Sequence, residues 1–252
     1  MMGLVGKMNI RMMLGREFLR IGRNLLHTPE FGDDVIHFLH IGKCAGTQIG
    51  NVIDQVNKSK GESVIVKNGH DVSLMGIPRG APYFFSIRHP LTRFVSGFYS
   101  RKRKGRPRIY SEWTSFEEYS FGEFVEASDL AESLFDEGMR GRQAVAAVKS
   151  IRHTAQNQFD WFCMCGAFLF VRPPLWIIRQ ECFEKDLREF MFRAGFSDLA
   201  DQVRVEKDSV RSHANDYSGV PALSDKAKQN LLIWYSQDVQ FYRMCEDWME
   251  AN

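Results

Sequence analysis

The sequence has few cysteines and no long apolar run, and each absence excludes a class of protein. There are five cysteines among 252 residues, an odd number whose spacing fits no disulfide framework. Cys163 and Cys165 lack a second Cys/His pair at the spacing of a zinc site, so free thiols in a reducing compartment are the better interpretation. No apolar stretch approaches the length that spans a bilayer. We therefore expect no metal, no disulfide framework and no transmembrane segment.

The sequence also lacks a strong net charge, an internal repeat and a low-complexity linker. Its net charge is +2, and 25% of its residues are charged, so global disorder is not expected. The charges are uneven, because residues 101–108 hold six cations in eight positions. Such a run is typical of an anion-binding surface or of a solvated face. With 44% hydrophobic residues, the chain can bury one sizeable core.

Residues 1–30 differ in pattern from the rest of the chain. Their apolar positions are interrupted by Arg11, Arg16, Arg20 and Arg23, which excludes a secretory signal. We predict a helical extension, either packed or frayed, whose basic amphipathic pattern is compatible with peripheral contact at a membrane. Without a signal or an anchor, a cytoplasmic, soluble protein of bacterial type is expected.

Strand and helix patterns alternate along the remaining residues. Short runs rich in β-branched and aromatic residues predict buried strands at residues 35–41, 63–66, 83–87, 167–171 and 175–179. Apolar stripes at helical spacing follow the first and third runs, the middle of the chain has a mostly helical pattern, and Ser224 is a candidate cap for the last helix. This order predicts an α/β fold of three layers, with a mostly parallel sheet flanked by helices.

The segment from His40 to Thr47 joins the first predicted strand directly to a helix. Such a junction points free backbone N–H groups and the positive helix end at one place, which favours an anion. Gly42 and Gly46 allow a ligand to approach the backbone, and Lys43 adds a positive charge. This is not a Walker A loop, in which Gly-Lys-Ser/Thr follows a four-residue spacer and the lysine enters the helix. Here the lysine comes early, and Gly46-Thr47 follows it. The pattern therefore predicts a P-loop-like phosphate site, with an ordinary βα turn as the alternative.

A second strand–turn–helix junction follows in residues 84–99. Arg88 stands at the end of the third predicted strand, and Ser96 lies about two turns into the next helix. An arginine fork and a hydroxyl in these positions are suited to holding one phosphate together. The alternatives are a surface salt bridge for Arg88 and a small packing residue at Ser96.

Taken together, the two junctions resemble the sulfotransferases that use 3'-phosphoadenosine-5'-phosphosulfate (PAPS), particularly the carbohydrate branch with heparan and chondroitin sulfotransferases. That family carries a segment close to His-Ile-Pro-Lys-Thr-Gly-Gly-Thr, and later Arg-Asp-Pro followed by Arg-Phe and Ser. The matching segments here are His40-Ile41-Gly42-Lys43-Cys44-Ala45-Gly46-Thr47 and Arg88-His89-Pro90 with Arg93-Phe94 and Ser96. Three departures are Gly42 for proline, Cys44-Ala45 for Thr-Gly, and His89 for aspartate. Weaker likeness extends the resemblance from about residue 35 to residue 248.

The resemblance implies a single sulfotransferase domain over residues 31–252, which transfers a sulfuryl group from PAPS to a carbohydrate hydroxyl. It implies 3'-phosphoadenosine-5'-phosphate (PAP) as the product, no metal and no nucleic-acid partner. The implied donor-binding residues are Gly42, Lys43, Cys44, Ala45, Gly46, Thr47 and Gln48 for the 5'-phosphosulfate, with Arg88 and Ser96 for the 3'-phosphate. Lys43 is also implied to stabilise charge on the leaving phosphate.

A general base must be a His, Glu or Asp within reach of the acceptor hydroxyl. We predict His70, which lies between the two motifs and resembles in position the base of the heparan 2-O-sulfotransferases. A histidine titrates near neutral pH, although a loop histidine without chemistry is the alternative. His153 is the second candidate base, and it is also a candidate substrate contact, as is Glu181. Lys102 and Arg103 are candidate contacts for an anionic acceptor.

Three other functions fit parts of the sequence. A nucleotide or small-molecule kinase would need a Walker-type lysine and a magnesium-holding aspartate at a strand end, and neither is evident. A non-catalytic polyanion-binding protein would use residues 101–108 but would leave both phosphate motifs unexplained. A sulfotransferase fold that binds the donor without turnover stays open because of the substitutions in the first loop.

Overall fold

The computed structural model describes residues 35–107, 109–162, 165–205 and 220–252. Its strands form one sheet in the order β2-β1-β3-β4, and every neighbouring pair is parallel. The strands are β1 (Ile36–Leu39), β2 (Ile65–Lys67), β3 (Tyr83–Ile87) and β4 (Ile177–Arg179). Helices flank this sheet, so the predicted α/β fold is confirmed. The predicted extension over residues 1–30 lies outside the described residues.

Nine α-helices occur in the described part of the chain. They are α1 (Gly46–Lys60), α2 (Pro90–Lys102), α3 (Ser115–Glu123), α4 (Ala127–Glu132), α5 (Gly138–Ser150), α6 (Phe168–Val171), α7 (Phe183–Arg193), α8 (Asp225–Trp234) and α9 (Ser236–Ala251). None of the helices in these described ranges is long and apolar enough to cross a membrane.

Two apolar clusters hold the molecule together. The larger one joins the sheet to α1, α7 and α9, and all residues of β1 and β3 are buried, as is usual for central parallel strands. The second cluster joins α2, α3, α4, α5 and α8, and it includes Phe94 and Phe98 of α2, which are both buried. Helix α2 therefore starts at the sheet and packs into the helical cluster.

The strand order creates a topological switch point at the carboxyl ends of β1 and β3. The chain leaves β1 through α1 to β2 on one side, whereas β3 lies on the other side of β1. The loops that follow β1 and β3 therefore diverge from the same sheet edge. Ligands of open α/β sheets bind at such a switch point, outside the carboxyl ends of the strands.

Two predictions of secondary structure are wrong in detail. Residues 167–171 were expected to form a strand, but Phe168 and Leu169 are buried whereas Phe170 and Val171 are exposed. Burial in adjacent pairs suits a helical turn, and a short apolar run cannot distinguish the two by its period. The predicted final helix is divided at Tyr235, which leaves the helical conformation and donates its hydroxyl to a backbone carbonyl.

Candidate active site

The loop between β1 and α1 turns sharply at this switch point. Lys43 and Ala45 have φ angles of 68° and 58°, in the left-handed region that residues with a Cβ rarely occupy. Ala45 stands immediately before α1 and offers no side-chain cap for the first turn of that helix. Strained backbone of this kind is concentrated at ligand sites, and an uncapped helix start presents N–H groups to an anion.

Position 46 must be glycine because the side chain of His40 fills the space beside it. A Cβ built at Gly46 would lie 1.9 Å from Nε2 of His40, so the imidazole occupies the space that any other residue would need. At Gly42, in contrast, a Cβ would meet Nδ1 of His70 at an ordinary 3.9 Å. No sequence pattern indicated the role of His40, because its spacing only marked it as a strand residue. The predicted contacts of Gly42 and Gly46 with a ligand stay predictions.

A buried glutamine joins the two predicted phosphate loops. Oε1 of Gln158 accepts hydrogen bonds from Sγ of Cys44 (3.2 Å) and from the backbone N–H of Arg88 (2.9 Å). Its Nε2 donates to the backbone carbonyl of Arg88 (2.8 Å). The carboxylate of Asp238 in α9 accepts the backbone N–H of Gln158 (2.9 Å) and holds the glutamine in turn. The two motifs therefore lie side by side.

Arg93 of α2 holds the first loop through hydrogen bonds to backbone carbonyls. Its Nε donates to the carbonyl of Gly42 (3.0 Å), and its Nη1 donates to the carbonyl of Gln156 (2.7 Å). Asp238 lies 3.8 Å from Nη1, and both side chains are almost fully buried. These contacts fix the backbone of the loop and leave Arg93 little freedom to contact a ligand.

Glu181 braces the second loop. One of its carboxylate oxygens accepts hydrogen bonds from the backbone N–H of His89 (2.9 Å) and from the hydroxyl of Thr92 (2.9 Å). The other oxygen accepts a hydrogen bond from the hydroxyl of Tyr242 (3.3 Å). Nε of Arg88 donates to the same Thr92 hydroxyl (3.1 Å). Glu181 thus holds the turn that carries Arg88, and its predicted contact with a substrate stays a prediction.

Positive charge dominates around Lys43. Burial, followed by the charges of Arg88 and Arg103, lowers the pKa of Lys43 to about 8. Within the described residues, no hydrogen bond or salt bridge engages its amino group. The positive charges of the arginines disfavour the charged form of Lys43. An anion bound beside them would offset this repulsion and would stabilise the charged lysine.

The two candidate bases, His70 and His153, both have lowered pKa values. Nδ1 of His70 lies 3.2 Å from the carbonyl oxygen of His40, and the centroids of the two imidazole rings are 3.7 Å apart. His70 keeps an exposed face, but the protein atoms packed around its ring lower its pKa. Burial lowers the pKa of His153 much further, to about 2, and the charges of Lys43 and Arg152 add to this effect. The imidazoles of His70 and His153 are therefore neutral at pH 7.

Three of the six cations in the basic run at residues 101–108 are paired with carboxylates. Its ion pairs are Arg101 with Glu117, Lys102 with Glu126, and Lys104 with Glu112. The pair of Arg101 and Glu117 is buried and bidentate, with two hydrogen bonds of 2.7 Å. Arg103 differs, because its charge acts on Lys43 and no side-chain bond holds it among the residues that the structure describes. Of the two predicted acceptor contacts in this run, Lys102 is already engaged and Arg103 is available.

The remaining predicted residues lie on the two helices that follow the loops. Thr47 and Gln48 are partly exposed in the first turn of α1, and Ser96 is buried on the side of α2. Of the residues that the structure describes, no three or more His, Cys, Asp or Glu side chains form a group that could hold a metal ion.

Comparison with known proteins gives the family of the chain. A search of curated proteins and a search of solved structures found no match. The model of the sulfotransferase family matches residues 30–243, which is most of the chain and includes both loops, Gln158 and Asp238. The chain therefore belongs to the sulfotransferase family, whose general activity is the transfer of a sulfuryl group.

Proposed function

We propose that this protein transfers the sulfuryl group of PAPS to a hydroxyl group of a carbohydrate. The observation that carries the proposal is the pair of strand–loop–helix junctions that Gln158 joins, with Lys43 and Arg88 beside one another. A nucleotide with phosphates at both its 5' and 3' positions would engage both junctions. Membership of the sulfotransferase family supports this assignment of the donor.

The two loops would share the donor between them. The first loop would hold the 5' end through Lys43, through the N–H groups at the start of α1, and through Thr47 and Gln48. The second would hold the 3'-phosphate through the guanidinium of Arg88 and the hydroxyl of Ser96. The excess of positive charge around Lys43 supports the binding of an anion at this place.

Lys43 would stabilise the negative charge that develops when the sulfuryl group leaves the phosphate. Its pKa of about 8 keeps most of the amine charged at pH 7, and a bound anion raises the pKa further. Bound PAPS supplies the sulfuryl group, whereas the protein supplies the fixed positive charge. Charges aimed in advance at a developing anion are among the strongest contributions to catalysis.

His70 would accept the proton of the acceptor hydroxyl. A carbonyl oxygen can only accept, so the contact of Nδ1 with the His40 carbonyl places the proton on Nδ1 and leaves Nε2 as the acceptor. The lowered pKa keeps the imidazole neutral at pH 7 and ready to take a proton. His153 is less suited to this task, because a base with a pKa of about 2 holds a proton poorly. We assign His153 and Arg103 to contacts with the substrate.

The carbohydrate acceptor rests on the resemblance of the two motifs to the carbohydrate branch of the family. A kinase is less well supported, because Lys43 lies in the loop before α1 and not within the helix. A polyanion-binding role for residues 101–108 is less well supported because three of their cations are paired with carboxylates.

Calorimetric titration with PAP in metal-free buffer tests the donor site. We expect the wild-type protein to bind PAP and Lys43→Ala and Arg88→Ala to bind about tenfold or more weakly, because each removes a charged contact. Lys228→Ala is a matched control, because it removes an exposed cation of α8 that pairs with Asp225 of the same helix. If the folded wild-type protein does not bind PAP but binds ATP with magnesium, the proposal is overturned.

Transfer of labelled sulfuryl groups from PAPS onto a panel of acceptors tests the reaction. The panel contains oligosaccharides, a hydroxylated lipid, a phenol and a tyrosine peptide. We expect labelled product with an oligosaccharide, and labelling of another class alone would overturn the carbohydrate assignment. Binding of PAP without any labelling would instead favour a fold that retains the donor site but not the activity.

A further inference from the structure

The amide of Gln158 bonds both to the loop after β1 and to the loop after β3. It is completely buried and uses both of its polar atoms, with one bond to the thiol of Cys44 and two to the backbone of Arg88. The two bonds to Arg88 pair the side-chain amide with a main-chain N–H and C=O, as a neighbouring strand would. No sequence pattern indicated this role for Gln158.

We propose that Gln158 is a positioning residue that sets the spacing between the two loops, so that one ligand with two phosphates can engage both. This inference rests on the proposed binding of PAPS. Gln158 itself does not touch the donor in this account, because its polar atoms are occupied by the two loops.

Glutamine is suited to this position by its length and by its two kinds of polar atom. The main chain of Gln158 is anchored to Asp238 in α9, so the side chain extends from a fixed point toward both loops. A carboxylate at this position would face the Arg88 carbonyl without a proton to donate, and an apolar side chain would leave that carbonyl and the Arg88 N–H unsatisfied. Cys44 completes the arrangement, because burial raises the pKa of its thiol to about 12 and keeps it protonated as a donor.

The link matters most for a ligand that is held at two ends. When a ligand engages two sites at once, its affinity depends on how well the distance between the sites matches the ligand. A ligand with one phosphate engages one loop and is largely insensitive to that distance. Loss of the link should therefore weaken a bisphosphate more than either monophosphate.

The experiment compares the dissociation constants of three nucleotides in the wild type and in Gln158→Met. The ligands are PAP, adenosine 5'-phosphate and adenosine 3'-phosphate, each measured by calorimetry. Methionine has nearly the volume of glutamine but removes all three hydrogen bonds. We expect PAP to bind about tenfold more weakly, the effect of losing buried hydrogen bonds, and each monophosphate to lose clearly less. Gln158→Asn, whose amide is too short to reach both loops, should show the same pattern if the methionine variant does not fold.

Asn230→Leu is the matched control for a buried amide. Its Nδ2 donates to the carbonyls of Ala131 and Glu132 (both 3.0 Å) within the helical cluster, away from both loops. We expect it to lower stability without changing the ratio of the affinities for PAP and the monophosphates. An equal loss for all three ligands in the Gln158 variants, or no loss at all, would overturn the inference. A wild type that does not bind PAP would instead refute the proposed donor.

Discussion

At the scale of single residues, Lys43 is unusual because it is enclosed and the strongest charges acting on it are those of arginines. Burial, followed by these charges, lowers its pKa to about 8. The free amine therefore loses its proton as the pH rises through about 8, and its attraction for an anion is lost over the same range. We expect the affinity for PAP to fall above pH 8 in the wild type. Calorimetry over pH 6.5–9.5 measures this, and Lys43→Ala should show a flatter profile.

His70 has the geometry of a base whose tautomer is fixed by its neighbour. Asparagine at this position can still donate a hydrogen bond to the His40 carbonyl but cannot accept a proton. We therefore expect His70→Asn to lower kcat by about 10²- to 10⁴-fold, the usual contribution of a general base, while PAP still binds. Single-turnover transfer from PAPS measures the effect. A smaller loss in His70→Asn than in His153→Gln would transfer the role to His153.

At the scale of secondary-structure elements, the first turn of α1 is fitted around the imidazole of His40. Alanine at Gly46 would place its Cβ 1.9 Å from Nε2, so the ring or the helix start must move. Overpacking of this kind costs about 1–3 kcal/mol, and the loop should lose affinity for PAP at the same time. Urea unfolding and calorimetry measure the two effects.

Gly122 in α3 is the matched control for this substitution. Beyond its own helix backbone, a Cβ at Gly122 meets no atom of the described residues within 4 Å, so Gly122→Ala should stabilise the helix by about 0.5–1 kcal/mol. Equal effects of the two substitutions would show that the contact with His40 does not constrain α1.

Elements near the sheet edge were only partly predictable. The pattern of buried β-branched and aromatic residues predicted β1 and β3 because both are buried along their whole length. It did not predict the helical turn α6, whose four apolar residues carry too little periodicity to separate a helix from a strand. The turn that begins at Gln158 also carries no pattern, since its role is set by contacts with residues that are distant in sequence.

At the scale of the whole molecule, three histidines with lowered pKa values should make stability depend on pH. The pKa values of His37, His70 and His153 are lowered in the folded protein, chiefly by burial. The unfolded chain therefore binds more protons below about pH 6.5, and stability falls as the pH falls through that value. For His153 the loss is at most about 1.4 kcal/mol per pH unit.

Urea unfolding at pH 7.5 and pH 5.5 tests this dependence. His153→Gln, which cannot be protonated, should reduce the difference in unfolding free energy between the two conditions. An unchanged difference would mean that other groups cause the acid sensitivity. If PAP binds beside Lys43, saturation with PAP should also reduce the difference in unfolding free energy between the two pH values. The reason is that the phosphate charges favour the protonated imidazoles.

The sequence by itself determined the α/β class, the two strand–loop–helix junctions and their likeness to a sulfotransferase. These features are local, since each depends on residue types within about one strand and one helical turn. Only the tertiary structure brought Gln158 between Cys44 and Arg88, placed Asp238 behind it, and set His40 against Gly46. It also showed that carboxylates pair with three of the six cations in the basic run. These contacts join residues that are far apart in the chain, and their partners are chosen by packing, which no local pattern records.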